Sequence, residues 1–215
     1  MSSKIVVVDY GIGNVFSVCN ALAAVGSEAV LTGDPNAIRA ADRVLLPGVG
    51  AFAHAMDALR SGGIADALSD FVDTERPFMG ICIGMQVLME RSTEFGNHSG
   101  LGFIPGEVRR VEDSGSEGQA RRVPHIGWAT LHSDVEGRSW EGTPLAQLAP
   151  NSDAVYFVHS YHCDPEVRDD RLAVADYDGL EITAAIRRDN IFGVQFHPER
   201  SGDVGHKVLK AFLEL

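Results

Sequence analysis

The sequence predicts an α/β fold with a central, mostly parallel sheet and additional antiparallel strands in its second half. Three observations carry that expectation. Over the first ninety residues, short β-branched runs alternate with stretches of helical periodicity, and strands separated by helices of this length form parallel βαβ units. Glycine, proline and asparagine punctuate most of the boundaries between them. Beyond Ile104 strand-like runs dominate until the last fifteen residues.

The elements follow in order. Residues 4–9 are a β-branched run and read as a buried strand. Gly11 and Gly13 form the turn after it, with Asn14 as helix cap. Val15, Val18, Leu22 and Val25 recur at helical spacing, and Gly26 ends that helix. Residues 29–32 and 43–46 are the next strands, the second stopped by Pro47-Gly48. Phe52, Met56 and Leu59 mark a helix broken by Gly62-Gly63, and Ile64, Leu68 and Phe71 mark another. Residues 77–81 form the fourth strand, and a helix is expected over 85–91. Strands are then expected at 108–111, 154–161, 172–175, 183–187 and 192–196. Asp189-Asn190 turns the last two into a hairpin. Ser201 caps a closing helix with Val204, Val208, Phe212 and Leu215 on one face. The polar, Gly/Ser-rich stretch 113–122 reads as a mobile loop.

Composition narrows the function classes. The 215 residues carry 45% hydrophobic side chains, enough for a sizeable core in one domain spanning 1–215. The net charge of -12 repels phosphate backbones and anionic lipid, so nucleic acid and membranes are disfavoured as partners. The three cysteines, Cys19, Cys82 and Cys163, are odd in number and form no C-x-x-C pair. That pattern argues against a structural metal site or a disulfide framework and suits a reducing cytosol. The first apolar run is too short for a signal peptide, and residues 77–89 are too short and too glycine-rich for a membrane span. A soluble, cytoplasmic protein is expected.

Three features carry chemistry. Gly80-Ile81-Cys82-Ile83-Gly84 joins a predicted strand to a predicted helix, the arrangement of a nucleophile elbow with cysteine in place of serine. Such a turn aims the sulfur outward at the carboxyl end of the sheet and sets it at a helix N-terminus, which favours thiolate. Gln195-Phe196-His197-Pro198-Glu199 lies at a strand end. Side chains at i and i+2 of an extended segment share a face, and the proline keeps the segment extended. His197 and Glu199 therefore lie side by side, so that the carboxylate can orient the imidazole toward a nucleophile. Pro47-Gly48-Val49-Gly50 is a glycine-rich turn whose amides, with that of Ile83, can meet a developing oxyanion. Each feature alone also has a plain structural reading, as a buried thiol, a surface strand exit and an ordinary turn. Together they supply nucleophile, base and orienting acid.

Other candidates fail. The third glycine of a dinucleotide fingerprint beginning at Gly11 would fall on Phe16, and no phosphate-binding loop is present. His159 and His162 lack an evident third metal ligand. Cys19 reads as core, and Cys163 shows no role. Neither a cofactor nor a metal is called for.

Taken together, the motifs VDYGIGN (8–14), LPGVGAF (46–52), GICIGMQ (80–86), PHIGW (124–128), YFVHSYH (156–162) and QFHPERSG (195–202) resemble the class I, triad-type glutamine amidotransferases. Within them, the resemblance is to the glutaminase subunits of imidazole glycerol phosphate synthases and runs nearly end to end. It implies a three-layer, flavodoxin-like fold and hydrolysis of L-glutamine to L-glutamate and ammonia. In that reading Cys82 is the nucleophile, His197 the proton carrier and Glu199 its orienter. Val49 and Ile83 are oxyanion donors, and Gln86, Glu94, Gly50 and Ser160 hold the substrate. The partner implied is a (β/α)8-barrel cyclase that takes up the ammonia. Asn14, Trp128 and Arg200 belong to the docking face. Two positions depart from the family pattern: Arg200 replaces a lysine, and Ala129 follows Gly-Trp where asparagine is usual. Two alternatives stay open: a Cys-His hydrolase of the same fold acting on another amide, such as a γ-glutamyl hydrolase or peptidase, and a catalytically silent binding subunit.

Overall fold

The strand Ile5–Val8 (β1) buries all four of its aliphatic side chains, which requires a sheet covered on both faces. A computed structural model, describing residues 4–115, 120–135 and 137–215, supplies that sheet. Helix α1 (Val15–Ala24) follows, then β2 (Ala29–Thr32), α2 (Pro35–Arg39), β3 (Arg43–Gly48), α3 (Phe52–Ser61), α4 (Ile64–Val72) and β4 (Phe78–Cys82). A single helical turn, α5 (Ile83–Gln86), leads to β5 (Met89–Ser92), β6 (His98–Ser99) and β7 (Ile104–Arg110). The remainder comprises β8 (His125–Thr130), β9 (Ala154–His159), β10 (Tyr161–Pro165), β11 (Arg171–Tyr177), β12 (Leu180–Arg188), β13 (Ile191–Val194) and α6 (Gly202–Glu214).

The main sheet has the order β11-β12-β13-β4-β3-β1-β2. Strands β2, β1, β3, β4 and β13 are parallel, the 2-1-3-4-5 order of flavodoxin-like folds. Strands β12 and β11 extend the sheet antiparallel, and Asp189 turns the β12–β13 hairpin in a left-handed conformation. Helix α1 packs on α6, while α4 packs on α2 and α3. A second sheet, β10-β7-β5-β6, and an antiparallel ribbon, β8-β9, stand beside it. Among the described residues no helix is long and apolar enough to cross a membrane.

Several expectations are corrected. The helix expected over 85–91 stops after α5. Its continuation becomes β5 because Met89–Ser92 finds strand partners in both β6 and β7, and such tertiary pairing outweighs local helix propensity. The strand expected over 154–161 breaks at Ser160, sending β9 and β10 into different sheets. Strand β8 escaped the sequence pattern because its outward residues are Ile126 and Trp128 while His125 points inward. Helix α2 was also missed, although Asp34 caps it through Asn36 N and Pro35 opens it. Asn14 and Ser201 occupy N-cap positions, but neither side chain caps its helix. Leu215 is exposed rather than on the inner face of α6. Of the loop expected over 113–122, residues 116–119 lie outside the described residues. Its flanks are tied by a Ser114–Ala120 bridge and by buried Arg121, whose guanidinium donates to the carbonyls of Glu112, Ser114, Tyr177 and Asp178.

The contact that positions the site is between backbones. A Cβ on Gly84 would overlap the Leu46 carbonyl, and one on Gly80 would overlap the Gly84 carbonyl. Gly84→Ala should therefore cost about 3 kcal/mol of stability, the upper range for overpacking. Gly62→Ala, whose nearest neighbours would lie at an ordinary 3.5 Å, should stay within about 0.5 kcal/mol. Denaturant midpoints of the two variants check this.

Candidate active site

Cys82 stands at the junction of β4 and α5 with φ 55 and ψ -110. A non-glycine residue in that region costs about 1–3 kcal/mol and persists only where its surroundings hold it. Here the glycines at 80 and 84 let β4, α5 and β3 close around it. The register pairs Gly48 with Cys82 across β3 and β4. The residues just beyond that pair, Val49 and Ile83, consequently leave the sheet side by side. Val49 is 40% exposed and Ile83 is buried.

His197 arrives from the far side of β4, three residues beyond β13. Its backbone is fixed at both ends: its N–H donates to Tyr156 O of β9, and its carbonyl accepts from the hydroxyl of Ser201 at 2.7 Å. Ser201 in turn accepts from Tyr156 N. The imidazole Nδ1 lies 2.8 Å from Glu199 Oε1, and both side chains are buried. Burial works against a charged imidazole, but the hydrogen-bonding influence of Cys82 and of Glu199 overcomes it and pushes the His197 pKa up to about 10. Among the described residues, Nε2 of His197 and Oε2 of Glu199 make no hydrogen bond of ordinary geometry to an N or O atom.

These groups open onto a cavity of about 380 Å³. Its lining includes eleven of the twelve predicted site residues: Asn14, Val49, Gly50, Cys82, Ile83, Gln86, Glu94, Ser160, His197, Glu199 and Arg200. Trp128 is not in the lining. It stands on β8, 57% exposed, with its ring against Tyr156 of β9. Arg200 makes the other contact, its guanidinium lying over the Tyr156 ring 4.4 Å from the centroid. Glu94 accepts from Phe52 N at 2.5 Å and so also ties down the start of α3.

Four residues were missed. Gln195, fully buried, donates toward the Cys82 sulfur at 3.6 Å and accepts from Gln86 at 2.9 Å. It stands two residues before His197, the same i, i+2 relation that identified Glu199, so the signal was present. His159 lines the cavity, and its Nδ1 lies 2.9 Å from Tyr161 O, a pure acceptor. That nitrogen therefore carries the proton, Nε2 accepts, and His125 Nδ1, 3.2 Å away, must donate. Burial lowers His159 to about 3 and His125 to about 4, so the pair is neutral at ordinary pH. Tyr10, the fourth, brings up to Gly48 a buried hydroxyl that has no partner among the described residues. Burial, and secondarily Cys82, raise its pKa. Cys163 lies in the core, where burial raises its thiol pKa.

Known proteins place this geometry in context. The family described as glutamine amidotransferase class-I matches residues 6–215. Imidazole glycerol phosphate synthase subunit HisH 1 of Legionella pneumophila (strain Lens) is 44% identical over 213 residues, 99% of this chain and all of the relative. The HisH subunit of Syntrophotalea carbinolica is 44% identical over 97% of this chain and 98% of its own length. That of Bacillus cereus is 41% identical over 97% and 93%. Among solved structures, PurLQS from Thermotoga maritima superposes with a TM-score of 0.70 at 21% identity, covering 100% of this chain and 99% of that one. At that identity the likeness speaks for the fold alone.

The raised His197 pKa has a testable sign. The folded value lies above the ordinary 6.5, so its contribution to stability is fully present below pH 6.5 and is lost as pH rises toward about 10. Glu199→Gln removes one of the two groups that raise it. The variant's His197 resonances should titrate at lower pH, and its stability should fall less steeply over that window. NMR titration with parallel denaturant melts measures both.

Proposed function

The chain belongs to the class-I glutamine amidotransferase family, and from that membership we propose how its site works. It is the glutaminase subunit of an imidazole glycerol phosphate synthase and hydrolyses L-glutamine to L-glutamate and ammonia. The observation that carries the site assignment is the convergence of Cys82 and the His197–Glu199 pair, joined at 2.8 Å, on one cavity.

The Cys82 thiolate attacks the glutamine carboxamide carbon, and the carbonyl electrons move onto oxygen. Amides at Val49 and Ile83 are the donors suited to that oxyanion, worth about 3–4 kcal/mol each where such donors have been removed. Collapse of the intermediate breaks the C–N bond, and the His197 imidazolium gives its proton to the leaving nitrogen, forming ammonia and a thioester. Water then adds to the thioester with His197 taking its proton, the C–S bond breaks, and glutamate leaves. Glu199 holds His197 in the required tautomer and stabilises the imidazolium. Glu94 and Gln86, at the cavity wall, suit the α-ammonium and polar ends of a free amino acid better than a peptide, which favours glutamine over the other amides considered. Gly50 and Ser160 add contacts from the rim.

The finer part of the reading concerns the partner. Asn14 and Arg200 rim the cavity, and Trp128 is tied to Arg200 through Tyr156. Phe16 and Ile126 are also largely exposed. Exposed aromatic and arginine side chains around a cavity mouth are the composition of an interface. A (β/α)8-barrel cyclase docks there and receives the ammonia, its basic groups meeting the -12 charge of this chain and speeding encounter.

Two outcomes are expected. Cys82→Ser should abolish glutamine-dependent synthesis by the assembled complex while leaving ammonium-dependent synthesis intact; substantial glutamine turnover would remove Cys82 from the role. Trp128→Ala should weaken association with the cyclase at least about tenfold, measured by sedimentation, as truncation of a buried interface tryptophan commonly does.

A further inference from the structure

The hydrogen bonds behind Cys82 have one consistent direction, and it is set from a single carbonyl. Tyr161 O can only accept. Gln86 Nε2, 2.9 Å away, is therefore its donor, which fixes the orientation of the Gln86 amide. The second donor of that nitrogen meets Gln195 Oε1 at 2.9 Å. Turning the Gln195 amide over would set two N–H groups against each other. It would also point a carbonyl at the sulfur. As it stands, Gln195 Nε2 is directed to Cys82 Sγ at 3.6 Å, within reach of a hydrogen bond to sulfur. All three side chains are buried. Both donors of Gln86 are then spent, and its Oε1 is buried at the wall of the cavity without a partner among the described residues.

We propose that Gln195 is a positioning residue for the glutaminase reaction: it donates to the Cys82 sulfur and locks the Gln86 amide so that only an acceptor faces the substrate. The inference rests on the function proposed above. A ligand group at Gln86 must then bring an N–H, which glutamine supplies from its carboxamide and its α-ammonium. The same amide steadies negative charge on sulfur when no acyl group is attached. Gln195 touches neither the transferred nitrogen nor the water, so it acts through Cys82 and Gln86.

The test uses two near-isosteric variants of the full chain, each verified as folded by circular dichroism. Alkylation of Cys82 by iodoacetamide, in which sulfur displaces iodide, is followed against pH by peptide mapping. Glutamine kcat and KM are measured on the complex with cyclase. Gln195→Glu keeps the acceptor for Gln86 but sets a carboxylate against the thiolate. Its alkylation midpoint should rise by about one pH unit, as for neighbouring like charges. Gln195→Met removes both bonds and frees Gln86 to turn; KM for glutamine should rise about tenfold, the scale of one lost hydrogen bond in a dry site. In Gln195→Met, which adds no charge, loss of the donor to sulfur should itself raise the alkylation midpoint, and a merely structural role would not do so in a folded protein. An alkylation profile of Gln195→Glu superimposable on the wild type overturns the proposal, as does a Gln195→Met KM within twofold of wild type. Should the alkylation midpoint shift while the wild-type complex fails to hydrolyse glutamine, the link between Gln195 and the thiol stands and the glutaminase reading falls.

Discussion

Everything at this site depends on one close backbone approach. The carbonyl of Leu46 at the end of β3 occupies the space that a side chain at position 84 would need, and the Gly84 carbonyl does the same to position 80. With glycine at both places, β4 can turn directly into α5 while pressed against β3. Cys82 is held at the apex with its φ of 55, a conformation that no local preference of cysteine would select. The strain is small beside the contacts that enforce it, and it orients the sulfur toward the cavity rather than into the sheet.

Around that fixed point, strand register does the rest. Strand β3 delivers the Gly48–Gly50 turn on one side of β4, and β13 delivers His197 and Glu199 from the other. The proposed nucleophile, oxyanion turn and base thus come from three adjacent parallel strands, at the carboxyl ends where open α/β sheets form their sites. The ribbon β8-β9 is tied to the same centre, since Tyr156 bonds the His197 backbone and carries the Trp128 and Arg200 contacts on its ring. A partner bound on that ribbon would press on the residue that supports the base.

Much of this was legible in the sequence, for identifiable reasons. The glycine spacing around Cys82 and the His-x-Glu pair at a strand end are local patterns whose geometry follows from backbone sterics. The parallel core was legible because fully buried strands such as Ile5–Val8 are continuous aliphatic runs. What escaped depends on distant partners. The single turn of α5 gives way to β5 because β6 and β7 wait on either side, which no window around Met89 reveals. Strand β8 turns its apolar residues outward, so the usual alternation misleads. Gln195 shows no role within its motif, because its meaning lies in Gln86 and Cys82, more than one hundred residues away in the chain. The family resemblance implies substrate-holding roles for Gln86 and Glu94. It did not reveal that the Gln86 amide has both donors occupied or that Glu94 also anchors α3.

The central claim is that Cys82 alone, activated in a glutamine-shaped cavity, forms the covalent intermediate. The most direct measurement is peptide mapping by mass spectrometry after brief treatment of the chain with an electrophilic glutamine analogue, with and without excess glutamine. The account predicts one adduct per chain, on Cys82, suppressed by glutamine, with Cys19 and Cys163 unmodified. Labelling of another cysteine in preference to Cys82, or a Cys82 adduct that glutamine does not suppress, would contradict it.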